Sequence, residues 1–177
     1  MAIELFSTVG YHATSVAEIG NRTDLQAGAL YYHIKSKEEL LWEILRRYTE
    51  KALAGAQRVV ATDSTPVEKL GQLIDSHVRI IARHQSEVLI QMRDADALSD
   101  EHMRQLQSLR QEVQDCWESV LEEGYRAGEL TRGNRIVANG LLGMVNSVSQ
   151  WYRPRRGESV DEIAREFRAM VIDGLAR

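Results

Sequence analysis

The chain has 177 residues, 44% hydrophobic and 27% charged, with a net charge of −4; this suits one medium domain or two small ones and excludes a general excess of positive charge for polyanions. The single cysteine, Cys116, excludes an intrachain disulfide and reads as a small buried apolar residue, and the prolines, Pro66 and Pro154, are too few to interrupt long helices. The N-terminus lacks a basic segment followed by a long apolar core. The most apolar run, 136–148, is too short for a bilayer and carries Asn139 and Asn146, so a soluble cytoplasmic protein with no membrane partner is expected.

Apolar spacing predicts helices at about 2–9, 15–22, 27–33, 37–61, 66–84, 86–96, 100–127, 133–152 and 160–175, with no strand and hence an all-α fold. Ser15 and Glu18, Ser36 and Glu39, Thr65 and Glu68, and Ser159 and Glu162 have capping-box spacing, and Pro66 suits a first helical position. Leu41, Ile44, Leu45, Tyr48 and Ala52 form one inward stripe, and Leu106, Leu109, Val113, Trp117, Val120 and Leu121 form another. The helices are short before Ser36 and long after it. A three-helix head over 1–36 and a six-helix body over 37–177 are the expected units.

Residues 14–37 read as a helix-turn-helix. Leu25 plugs the turn, Leu30 and Ile34 face the core four residues apart, and Gln26, Ala27, Gly28, Tyr31 and Tyr32 fall on the exposed side. Such a helix can enter the major groove of double-stranded DNA. Gln26 suits adenine N6 and N7, Ala27 a thymine methyl, and Gly28 a close backbone approach. Thr14, Ser15, Tyr31, Tyr32, His33 and Lys37 suit phosphate oxygens. The competing reading is an ordinary helical hairpin whose tyrosines cover a core. Charge weighs against DNA, because residues 1–40 hold Arg22, Lys35 and Lys37 against Glu4, Glu18, Asp24, Glu38 and Glu39.

The run of Leu5-Phe6, Gly10-Tyr11, Thr14-Ser15-Val16, Ile19, Leu25, Gly28, Leu30-Tyr31-Tyr32-His33, Lys35-Ser36-Lys37 and Glu39-Leu40-Leu41 resembles the TetR family of bacterial transcriptional regulators. The resemblance implies nine helices, a DNA-binding head, a ligand-binding body and a homodimer on an inverted-repeat operator. It also implies a basic arm and extra turns ahead of the first helix. Here that helix starts at Met1, so a truncated first helix is expected.

In the body, Gly140, Gly143, Ser147 and Trp151 form a small-residue stripe which, with Phe167 and Val171, is expected at a four-helix dimer interface; packing within one chain is the alternative. The stretch 147–154 resembles a subgroup of the same family, some members of which respond to fatty-acyl or steroid-derived coenzyme A thioesters. Gln91, Arg93, Asn139, Asn146 and Gln150 are candidate polar ligand contacts, and Met92, Trp117 and Met144 candidate apolar walls, with plain core as the competing reading. The Arg153, Arg155 and Arg156 cluster reads as a solvated loop before a phosphate site.

His77 and His84 lie too far apart on one helix for a metal site, and no nucleophile–base set or phosphate loop is visible, so no metal, cofactor or enzyme activity is expected. The expected function is a ligand-responsive repressor, released from its operator by a small hydrophobic or acyl-CoA-type effector. The alternative is a helical ligand-binding module with little DNA affinity for want of the basic arm.

Overall fold

The computed structural model describes residues 1–22 and 36–176. Among the described residues there are eight α-helices and no strand: α1 (Ala2–Thr8), α2 (Val16–Arg22), α3 (Lys37–Val60), α4 (Pro66–Arg83), α5 (Gln85–Asp94), α6 (Asp100–Arg126), α7 (Arg135–Trp151) and α8 (Val160–Leu175). A 3-10 turn, Ala95–Ala97, joins α5 to α6. These helices lie where spacing predicts them; the helix predicted at 27–33 lies outside the described residues.

Local chemistry sets the helix ends. Thr65 accepts the Glu68 amide and Glu68 accepts the Thr65 amide, with Pro66 opening α4. Ser159 and Glu162 form the same reciprocal pair at α8. Ser36 caps α3 by accepting the Glu39 amide at 3.0 Å, and Ser15 pairs with Glu18 at the start of α2. After α1 the chain reverses at Gly10, whose φ of +103° suits glycine.

The main core joins α3, α4, α6, α7 and α8, with Leu70, Ile74, Trp117, Leu121 and Val148 inaccessible to solvent. A second cluster packs Leu5, Phe6, Tyr11 and Ile19 of the head on Leu41, Trp42 and Leu45 of α3, Ile90 of α5, Leu98 and Leu106. It crosses the expected boundary at residue 36. Burying Leu5 and Phe6 fully contributes roughly 1.5–3 kcal/mol for each side chain, so α1 is seated on the body by hydrophobic burial. The far end is closed by the Thr131 amide on the Leu175 carbonyl at 2.7 Å. No helix among the described residues is long and apolar enough to cross a membrane.

Candidate nucleic-acid interface and effector cavity

Of the residues expected on DNA, Gln26, Ala27, Gly28, Tyr31, Tyr32 and His33 lie outside the described residues. Ser15 is exposed at the first turn of α2, where its hydroxyl accepts the Glu18 amide at 3.1 Å. Thr14 is 1% exposed and donates to the Gly10 carbonyl at 2.7 Å. Lys37 Nζ donates to the carbonyls of Tyr11 at 3.0 Å and Thr14 at 3.1 Å. Thr14 and Lys37 are therefore turned into the protein, not toward an outside phosphate. The reason is that the reversed chain at Gly10 leaves carbonyls that a buried hydroxyl and a neighbouring ammonium must satisfy.

Two further ties hold the head. Arg93, which pairs with Asp94 at 2.8 Å, donates to the Phe6 carbonyl near the end of α1. It therefore faces the head and not a ligand. Glu38 accepts the Ser99 amide at 2.8 Å and His102 Nδ1 at 2.9 Å, and the His102 ring stacks on Trp42 at 4.7 Å between centroids. Partial burial pushes the Glu38 carboxyl up, but the Ser99 and His102 hydrogen bonds outweigh it and hold the group below the usual carboxylate range. Among the described residues, Glu38, Glu39 and His102 bring ligand-type atoms within 4.8 Å of one another, yet Glu38 is already committed to its two donors.

A cavity of about 510 Å³ opens between α3, α4, α5, α6 and α7. Gln91, Asn139 and Asn146 are in its wall, together with Tyr48, Thr49, His77 and, from α6, Gln107, Arg110, Gln111 and Gln114. Several of its polar groups are held from behind. Thr49 Oγ1 lies 3.2 Å from Gln91 Oε1, Gln111 donates to Asp115 at 2.8 Å, and Gln114 donates to Glu118 at 2.5 Å. His77 Nε2 lies 3.3 Å from Asn146 Oδ1; burial drives the imidazole down to about 4, so it is neutral at physiological pH.

Other predicted wall residues lie elsewhere. Met92 is 58% exposed, and Gln150 faces solvent. Trp117 is fully buried behind His77, edge-on at 5.8 Å, with its Nε1–H unpartnered among the described residues, and Met144 packs on the main core. Arg153 donates to the carbonyls of Gln150 and Tyr152, and Arg155 and Arg156 are exposed. Cys116 is half-buried; burial first, then Asp115 and Glu112, push its thiol up and away from the reactive thiolate.

On α7, Gly140 and Gly143 are exposed, and a methyl group on either would meet nothing within 4 Å. Ile136 and Trp151 extend this face, and the Trp151 ring lies 6.3 Å from that of Phe167, near exposed Met170 of α8. Ser147 is half-buried, donating to the Met144 carbonyl at 2.7 Å. Val171 is 5% exposed and belongs to the protomer's own core.

Residues 1–44 match the family described as bacterial regulatory proteins, tetR family, and residues 63–175 match a tetracyclin repressor-like C-terminal domain. The chain belongs to the TetR family. The HTH-type transcriptional repressor KstR2 of Rhodococcus jostii (strain RHA1) is 30% identical over 179 residues, spanning 99% of this chain and 88% of the repressor. The crystal structure of the TetR family transcriptional regulator PfmR from Thermus thermophilus superposes with a TM-score of 0.91 at 26% identity, covering 99% of this chain and 97% of PfmR. AibR, crystallised in complex with isovaleryl coenzyme A and operator DNA, shares the fold with a TM-score of 0.85 at 24% identity, over 96% of this chain and 92% of AibR. TetR-family proteins are helix-turn-helix transcriptional regulators, not enzymes.

Proposed function

We propose that this TetR-family protein is a ligand-responsive repressor that binds an inverted-repeat operator as a homodimer and is released by a small hydrophobic or acyl-CoA-type effector. The observation that carries the reading is the cavity of about 510 Å³, because two of its walls, α3 and α6, also hold the head. Tyr48 and Thr49 face the cavity on the helix that begins with Lys37 and Glu38. Gln107 and Arg110 face it on the helix that begins beside His102.

An effector entering between these helices changes their separation, and the Glu38–His102 and Lys37–Tyr11 ties carry that change to the seat of α1 and α2. A tenfold loss of operator occupancy needs about 1.4 kcal/mol tighter effector binding to the released form. The amide side chains suit carbonyl and amide groups along a coenzyme A thioester, and Arg110 suits an anionic group. The AibR complex with isovaleryl coenzyme A supports this ligand class for a protein of the same fold.

For DNA, Gln26, Ala27 and Gly28 would meet base edges, and Ser15, Tyr31, Tyr32 and His33 phosphates. For the dimer, the open stripe of Gly140 and Gly143, bordered by Ile136, Trp151 and Met170, is the face for a second copy. A second reading, a ligand-binding module with little DNA affinity, is favoured by the inward commitment of Thr14 and Lys37. Fluorescence anisotropy on operator duplexes selected from genomic fragments separates the two. A saturable complex that dissociates on adding isovaleryl coenzyme A or a longer acyl-CoA supports the repressor. Binding no tighter than to random duplex supports the module.

A further inference from the structure

Tyr48 lines two cavities. One is the cavity described above. The other, about 600 Å³, runs along a neighbouring face of α3, between Ile3 of α1 and the corner where α4 meets α5. Its volume is in the range of small-molecule sites, roughly 300–1,000 Å³. Ile3, Leu40, Ile44 and the Tyr48 ring supply apolar lining.

Among the described residues, two charges around this cavity lack a partner of opposite charge: Glu39, and Lys51, which is exposed to solvent and meets only a ring nitrogen of His84. Glu43 is held by Arg46 at 2.9 Å and by Arg47 at 3.0 Å. Glu87 receives His84 Nδ1 at 2.9 Å, and His84 Nε2 faces Lys51 Nζ at 3.4 Å. Glu39 has no ion pair or side-chain hydrogen bond among the described residues. Its carboxylate lies within 4.8 Å of ligand-type atoms of Glu38 and His102, which are tied to each other at 2.9 Å.

A second polar group is also unused. Tyr48 is 5% exposed, and among the described residues its hydroxyl has no hydrogen-bond partner. Burial, then the Glu87 charge, push the phenol well above its ordinary value, so it is a neutral group able to donate or accept.

We propose that this second cavity binds a monovalent organic cation, the ammonium of an amine with an apolar body, with Glu39 as counter-charge and the Tyr48 hydroxyl as the deep polar contact. A bare metal ion fits less well, because Ile3, Leu40 and Ile44 line the same space and a single carboxylate is uncommitted among the described residues. An occupant is held between α1 and α3, and so touches the head directly. The two cavities share Tyr48, whereas Glu39, Leu40 and Ile44 line only the second, so variants at Glu39 and Leu40 test it apart from the effector proposed for the first.

The test is isothermal titration of the full chain, near neutral pH and at low salt, with phenylbutylamine and with phenylbutyrate, which share an apolar body and differ in charge. The amine is expected to bind saturably at one per chain and about tenfold or more tighter than the carboxylate. Glu39→Gln is expected to weaken the amine about tenfold, and Tyr48→Phe about threefold. Leu40→Trp, which fills the cavity without touching a charge, abolishes binding and covers the case in which Glu39→Gln does not fold. Equal binding of amine and carboxylate, no saturable amine binding, or amine affinity unchanged in both Glu39→Gln and Leu40→Trp overturns the site.

Discussion

Lys37 donates through Nζ to the Tyr11 carbonyl at 3.0 Å, and its ammonium lies 4.3 Å from the centroid of the Tyr11 ring. The first residue of α3 thus closes the corner between α1 and α2, and the charge that looks free in the sequence is spent inside the head. Lys37→Met is expected to destabilise the fold by about 1.5–3 kcal/mol, the range for hydrogen bonds to a charged group, measured by urea unfolding. Operator affinity should fall with it. The slope of log affinity against log salt should not change; a decrease of about 1 in that slope would mean that Lys37 contacts a phosphate after all.

Glu38 carries a pH signature. The folded state binds its proton less tightly than the unfolded chain, because the Ser99 amide and His102 outweigh partial burial and hold the carboxylate. The tie therefore adds stability above the ordinary carboxylate range and loses it as pH falls through the lowered value. Glu38→Gln should be less stable than the parent at neutral pH, and the gap should close on acidification. A gap in urea midpoint that stays constant down to acid pH would show the tie to be neutral packing.

His77 works in the same direction for a different reason. Burial holds it near 4, well below the 6.5 of an ordinary imidazole, so the unfolded chain takes up a proton that the folded chain refuses. Its contribution is intact above that ordinary value and is lost as pH falls toward 4, by about 3 kcal/mol across the window. His77→Gln keeps a donor for Asn146 and should flatten stability over this window. An NMR titration placing the His77 midpoint near the ordinary value would contradict the burial account.

Glycines on either side of the first turn of α7 separate protomer packing from assembly. A Cβ at Gly133 would lie 2.1 Å from the Leu121 carbonyl oxygen, a backbone atom that cannot swing aside. Gly133→Ala should cost about 1–3 kcal/mol of protomer stability. At Gly140, exposed and outside the cavity wall, a Cβ meets open space, so Gly140→Leu should leave the fold intact and fail only where a second copy packs. Light scattering after size exclusion is expected to give the mass of one chain for Gly140→Leu and of two for the parent; an unchanged dimer would move the interface off this stripe.

Helix ends are legible in the sequence because capping chemistry is local: Ser15, Ser36, Thr65 and Ser159 each meet the glutamate three residues on. Apolar spacing marks the inward faces for the same reason. The head–body core is not legible, since Phe6 joins Ile90, Leu98 and Leu106 only after the chain has turned back on itself. Cavity walls are half-legible. Gln91, Asn139 and Asn146 stand out as polar residues on apolar helices. Gln107, Gln111 and Gln114 do not, because amides on the polar side of a long amphipathic helix have the pattern of a solvated face. Met92 and Arg93 sit next to Gln91 in sequence but project to other sides of α5, one to solvent and one to the Phe6 carbonyl.

If occupancy of the α3–α7 cavity governs the grip of the head on DNA, as proposed above, operator anisotropy of the parent and of Asn146→Leu, with and without an acyl-CoA, will separate the two proteins. The parent should bind the duplex and release it as ligand is added, while Asn146→Leu should bind the duplex as tightly and need about tenfold more ligand for release. Equal ligand sensitivity in the two proteins, or tighter DNA binding on adding ligand, would contradict the account.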